Sequence, residues 1–180
     1  MDMVLTSRWE EPLVEFLCSH DEPVLSAGIV DKAGAMPFLG REAGAVPEDQ
    51  EELERFLTGL RSDRVVHGFN HPCIHNARIL RQVGGYDSRF LTGMQCFEDD
   101  SLLLGYYYYY GTKAGWHPKV NCNSVVYHAV ALQRLDLKDS IMPNYNGLVK
   151  QYGAMGLKSL SLLHASPWHR RFFGDRFQNL

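Results

Sequence analysis

No apolar run in the chain approaches 18 residues, so no segment reads as a membrane-spanning helix. The first residues lack the succession of a basic, an apolar and a small-residue region that marks a secretory signal. The four cysteines, Cys18, Cys73, Cys96 and Cys122, show no CxxC spacing. They read as reduced, mostly buried thiols of a cytosolic protein. No long basic run accompanies the net charge of −3, which argues against a nucleic-acid partner. Internal repeats are absent too, and the only low-complexity tract is the run of five tyrosines over 106–110.

What remains is a chain of 180 residues, 45% apolar and 12% aromatic, which is enough for one domain, or most of one, with a real core. Its most unusual stretch is Gly84-Gly85-Tyr86-Asp87-Ser88-Arg89-Phe90, followed by Glu98-Asp99-Asp100 between Phe97 and Leu102-Leu103-Leu104. Three adjacent carboxylates between apolar flanks repel one another, and partial burial raises at least one pKa. Such clusters serve metal binding, acid/base chemistry or a helix N-terminus, where acids complement the macrodipole.

Along the chain, residues 1–6 are strand-like, and Ser7 with Glu10 forms a capping-box signature for a helix to about Cys18. Pro12 then falls in or near the first turn, and Leu13, Phe16 and Leu17 share the packed face. The pattern predicts a strand over 23–30, a Gly- and Ala-rich loop over 31–47 and an amphipathic helix over 48–60. Residues 65–70 read as a strand, and Pro72 keeps 71–76 extended. His67, His71, Cys73 and His75 suggest zinc, but no tight return turn completes a tetrahedral set. Residues 77–82 make a short helix stopped by Gly84-Gly85, and 98–110 make a helix capped by Gly111. Its five tyrosines occupy every helical angle, so some face solvent or another chain. Strands are expected over 113–117 and 121–128, a polar loop over 132–140, and helix over 142–163 broken near Gly153 or Gly156. The aromatic and arginine-rich tail, 166–177, serves packing, a subunit contact in a homo-oligomer, or a peripheral membrane foot.

The ordered set Gly84-Gly85-Tyr86-Asp87, Glu98-Asp99 and Val125-Val126-Tyr127-His128 resembles the C-terminal half of inverting family 2 glycosyltransferases with the GT-A fold. The opening run Asp2-Met3-Val4-Leu5-Thr6-Ser7-Arg8-Trp9 is similar to the segment that starts at that family's DXD-type motif. The resemblance covers residues 2 to about 152. It implies an α/β fold, a GT-A-like mixed sheet flanked by helices, whose N-terminal nucleotide-binding βαβ half is missing or truncated. The expected organisation is a partial glycosyltransferase domain over 1–152 and a tail over 153–180.

The same resemblance implies transfer of a sugar from a nucleotide-diphospho-sugar donor to a hydroxyl of a carbohydrate or other acceptor, with inversion. It makes Asp99 the general base, Glu98 a positioning group and Asp100 the fallback base if the register slips by one. Asp2 and His128 would hold Mn²⁺ or Mg²⁺, and Gly84, Gly85, Asp87, His75 and Trp116 would line the sugar sites. The sequence departs from the family in three places: the first Asp of DXD is absent, Ser101 stands where a further Asp is common, and no basic residue lies near Gly105 or Tyr106. Those departures keep a second reading open, a non-catalytic remnant that binds sugar or docks a partner.

Overall fold

The computed structural model describes residues 3–92, 96–110, 115–129, 138–164 and 167–174. The chain divides into two compact units, Met1–Asn76 with Lys119–Gln133, and Ala77–Pro118 with Arg134–Leu180.

The first unit is an α/β layer built on one long strand. In chain order it contains β1 (Met3–Val4), α1 (Glu11–Ser19), β2 (Val24–Asp31), β3 (Ala35–Met36), β4 (Arg41–Glu42), α2 (Gln50–Gly59), β5 (Val65–His67) and β6 (Cys73–His75). After the excursion through the second unit it regains β7 (Lys119–His128). The sheet runs β1-β7-β2-β6, with β5 also paired to β7. Strands β2 and β7 are parallel and the other pairs antiparallel, so the sheet is mixed. Strand β2 is buried on both faces over most of its length, as a central strand beneath helices must be. On one side Leu13 of α1 packs with Leu25, Ala27 and Val126; a second cluster joins Leu53 and Leu57 of α2 to Val30, Met36 and Val125.

The β2–β7 ladder is interrupted between Ala27 and Gly28, whose partners jump from Asn121 to Val125. The Asn121 side chain accepts the Asn123 N–H at 2.9 Å and closes the extra loop of β7. Gly28 stands opposite it, where a Cβ would lie 3.2 Å from the Ser124 carbonyl oxygen, a tight contact that glycine avoids.

The helix start expected at Ser7 lies elsewhere. Arg8 has φ 58°, which breaks the first turn, and α1 begins after Glu10 with Pro12 in its first turn. The Ser7 N–H instead donates to Glu54 of the second helix. Helix α2 is capped as a sequence would have it, with the Asp49 carboxylate accepting the Glu52 N–H at 2.9 Å. The presumed loop after β2 contains the small β3–β4 hairpin, initiated by Asp31, which accepts the Ala33 and Ala35 N–H groups at 2.9 Å.

The second unit is helical: α3 (Ala77–Gln82), α4 (Glu98–Tyr110), α5 (Lys138–Leu163) and α6 (Pro167–Gly174). Leu102, Leu103, Leu104, Tyr106 and Tyr110 of α4 are buried with Leu148, Leu157, Leu160 and Leu163 of α5. Tyr108 and Tyr109 are exposed, so the tyrosine run divides as the helical wheel requires. Phe173 of α6 is fully buried and Phe172 stacks on Phe97, so this part of the tail is a packing element. The break expected at 152/153 falls inside α5, where Gly153 (φ 67°, ψ 175°) leaves helical geometry. Residues 138–140, expected to be loop, are helical, and of the strand expected over 113–117 the described residues 115–117 are not strand; Gly111 lies outside the described residues. No helix among the described residues is long and apolar enough to cross a membrane.

Candidate functional site

In the second unit, α3 ends where Gly85 N–H reaches back to the Leu80 carbonyl at 2.9 Å. Gly84 and Gly85 take φ values of 91° and 68°, which side-chain-bearing residues rarely adopt. The chain then turns on Asp87, whose Oδ1 accepts the Arg89 N–H at 2.6 Å and the Phe90 N–H at 3.3 Å. Its Oδ2 lies 3.2 Å from the Arg89 guanidinium. Burial pushes this carboxyl up, but the Arg89 guanidinium and the two backbone donors outweigh it and hold it below its ordinary value. Asp87 thus serves the turn first, with its carboxylate already engaged.

This turn, the 101–105 stretch of α4 and Gln151-Tyr152 of α5 wall a cavity of about 350 Å³. Tyr152 donates to the Ser101 carbonyl at 2.9 Å, and the Ser101 hydroxyl donates to Gln151 Oε1 at 3.4 Å. Burial raises the Tyr152 phenol, against the Ser101 bond that lowers it, so the hydroxyl stays protonated at neutral pH. A shallower pocket of about 260 Å³ adjoins Tyr86, Asp87 and Ser88 and is lined by Glu98 and Asn144.

The three acids of α4 have different surroundings. Glu98 lines the shallower pocket. Asp100 is buried, 7% exposed, and its Oδ1 lies 2.8 Å from Nε2 of His164, itself 5% exposed. A carboxylate held this way is a structural joint between α4 and the end of α5, and it is unsuited to the fallback base role. Asp99 is half-buried and lines neither cavity, being turned about 100° around the helix from Glu98.

Of the remaining expected site residues, Trp116 belongs to the second unit and does not line this cavity, while His75 and His128 belong to the first unit. Trp116 is 9% exposed and stacks on Tyr110 at 6.1 Å, so it fills the core instead of presenting a ring to a sugar. His75 is in the first unit, on β6 opposite Val24, with its Nε2 3.4 Å from Cys73 Sγ. His128 ends β7, between Met3 of β1 and Asp31 of β2. It therefore sits at the carboxyl ends of the two parallel strands, where open α/β sheets bind ligands. Asp2 lies outside the described residues; its chain neighbour Met3 is the register partner of His128. A hard divalent cation asks for about six oxygen ligands. His128 supplies one imidazole, and Asp31 has one oxygen committed to two N–H groups. Among the described residues no three side chains assemble a metal site, at His128 or at the His67–His75 cluster, so the ligands present do not by themselves fit Mn²⁺, Mg²⁺ or zinc.

Burial, reinforced by His71, lowers the His75 imidazole to about 4. The unfolded chain, with an ordinary histidine near 6.5, binds this proton earlier than the folded one. Stability is therefore complete above about pH 6.5 and falls as pH drops through that window towards 4. Allowing for solvent at the half-exposed ring, the loss is about 1 kcal/mol. Urea midpoints between pH 7 and 4.5 should fall less in His75→Gln than in the wild type; equal slopes would reject the assignment.

His164, Gln151 and Tyr152 were not singled out by the sequence. Gln151 and Tyr152 are separated from Ser101 by some fifty residues, and His164 from Asp100 by sixty-four, with no local pattern to tie them. In comparisons with known proteins, no family model matches the chain, and no curated protein or solved structure is significantly similar to it.

Proposed function

We propose that the chain is the acceptor side of an inverting GT-A-like glycosyltransferase, acting on a nucleotide-diphospho-sugar and a hydroxyl acceptor. The observation that supports this best is the cavity walled by the Gly84-Gly85-Tyr86-Asp87 turn and the acid-led helix α4. The glycine turn and the acid run, which the sequence singled out separately, meet at the adjoining shallower pocket, where Glu98 lies with Tyr86 and Asp87. At about 350 Å³ the cavity lies at the small end of the range for small-molecule sites. That volume suits a single sugar ring better than a whole nucleotide-sugar. Its polar lining of Ser101, Gln151 and Tyr152 with open glycine backbone offers the mixture of donors and acceptors a polyol needs.

In this reading acceptor binding turns the first turn of α4 so that Asp99 faces the pocket that Glu98 lines, and Asp99 then removes the proton of the acceptor hydroxyl as that oxygen attacks the anomeric carbon. The bond to the nucleoside diphosphate breaks on the opposite face, and the configuration inverts. Asp99 stands in the first turn of α4. Glu98, at the pocket beside the glycine turn, orients the acceptor hydroxyl.

The test is calorimetric titration of the purified chain with nucleotide-diphospho-hexoses and simple glycosides, with and without Mn²⁺, followed by assay for nucleoside diphosphate release. Saturable donor binding and release that depends on acceptor support transfer. Glycoside binding without turnover supports the non-catalytic sugar-binding module instead. Binding of neither ligand at millimolar concentration overturns both.

A further inference from the structure

Helix α4 carries a glycine in its interior, Gly105 between Leu104 and Tyr106, on the wall of the cavity of about 350 Å³. Glycine there costs about fivefold in the folding equilibrium relative to alanine. The glycines of α5 have structural reasons. Gly153 takes φ 67°, a Cβ on Gly147 would strike the Phe90 carbonyl oxygen, and one on Gly156 would lie 2.7 Å from Tyr152 Cβ.

Gly105 has no such reason. Its backbone is helical and outside the positive-φ region. The nearest atoms that a Cβ would meet are Val83 Cβ at 3.4 Å, Val83 Cγ2 at 3.7 Å and the Tyr152 hydroxyl at 3.9 Å. All three are side-chain atoms at ordinary van der Waals range, and both residues line the same cavity. An alanine therefore fits the fold, and its methyl group would project into the cavity. The physical effect of glycine at 105 is to keep that space open.

Gln151 lines the same cavity, and its Oε1 accepts from the Ser101 hydroxyl at 3.4 Å. Its amide nitrogen has no hydrogen-bond partner among the described residues. Ser101 thus fixes which end of the amide is engaged and leaves the N–H donors for a ligand. Tyr152 complements it: its proton goes to the Ser101 carbonyl, so towards a ligand its oxygen accepts.

Resting on the reading that this cavity holds a sugar ring, we propose that Gly105 and Gln151 determine its specificity. Gly105 leaves the room that the ring occupies, and Gln151 donates to one of its substituent oxygens. The ligand class so selected is a single polyol ring that presents an acceptor oxygen to the amide.

The experiment has two arms. In the free protein, Gly105→Ala should raise the thermal midpoint. A fall would show that packing demands the glycine and would overturn the proposal. In the second arm, calorimetry measures binding of the methyl glycosides of glucose, galactose and mannose to the full chain. Gly105→Ala should weaken the best of them at least tenfold, the scale of one methyl group in a close-fitting site. Weaker binding by a more stable protein is an opposition that a merely structural glycine does not produce. Gln151→Leu should weaken the same glycoside about tenfold through one lost hydrogen bond. One monodeoxy analogue of that glycoside should bind the wild type about tenfold more weakly than the parent, and bind Gln151→Leu no more weakly than the parent does. Unchanged affinity in either variant would overturn this proposal and leave the sugar reading standing. Binding of no glycoside by the wild type would overturn both.

Discussion

Asp99→Asn should lower the rate of nucleoside diphosphate release by about 10²–10⁴-fold, the usual contribution of a positioned general base. Its thermal midpoint should stay at the wild-type value, because Asp99 is half-buried and an amide is close to isosteric with the carboxylate. The two neighbouring acids provide the contrast. Glu98→Gln removes a group that lines the shallower pocket, so its main effect should fall on the KM for acceptor. Asp100→Leu breaks the 2.8 Å contact with His164 between two buried groups, at a cost of about 3 kcal/mol in stability. Three consecutive acids should thus give three different phenotypes: rate, affinity and fold. A wild-type rate in Asp99→Asn would refute its role, and a stability-neutral Asp100→Leu would refute the joint.

Gly147→Ala should destabilise the protein by about 2 kcal/mol, although helix propensity alone predicts a gain of up to about 1 kcal/mol. Gly147 lies within α5 where the helix runs against the turn that follows Asp87. A methyl group there would land on the Phe90 carbonyl oxygen, well inside van der Waals contact, with the Phe90 Cβ only 3.4 Å away. The obstacle is backbone, so no rotamer change relieves it, and α5 must move away from the Gly84–Phe90 turn. That motion opens the cavity between the turn and Gln151-Tyr152. Gly59, in α2, supplies the control: a Cβ there meets nothing within 4 Å, so Gly59→Ala should stabilise. Opposite signs for one chemical change at two helical glycines, read from urea midpoints, would establish that close packing governs the first. A stabilised Gly147→Ala would show that the turn and α5 are not in contact.

Features governed by neighbouring residues were legible in the sequence. The acid-led helix over 98–110, the stop at Gly84-Gly85, the break at Gly153 and the burial of Leu13 all follow from local spacing. Where a remote partner decides, the residue types gave no sign. Ser7 had a capping signature, yet Arg8 adopts a positive φ and the Ser7 N–H is taken by Glu54. Trp116 looked available to a sugar, but Tyr110 stacks on it in the core. Asp100 looked equivalent to its two neighbours until the chain returned, sixty-four residues later, with His164. The α/β class with a mixed sheet was an expectation carried by the family resemblance, and the structure has it; which strand occupies the middle was not legible.

That middle strand has a consequence for the order of assembly. Strands β1, β2 and β5 all hydrogen-bond to β7, and among the described residues only the short β6 gives β2 another neighbour in this sheet. On a ribosome, β1 and β5 have no partner, and β2 only an edge, until residues 119–128 emerge from the exit tunnel. Apolar segments around Val24 and Val65 must wait through the synthesis of more than fifty intervening residues, a delay that exposes them to chaperones and to other nascent chains.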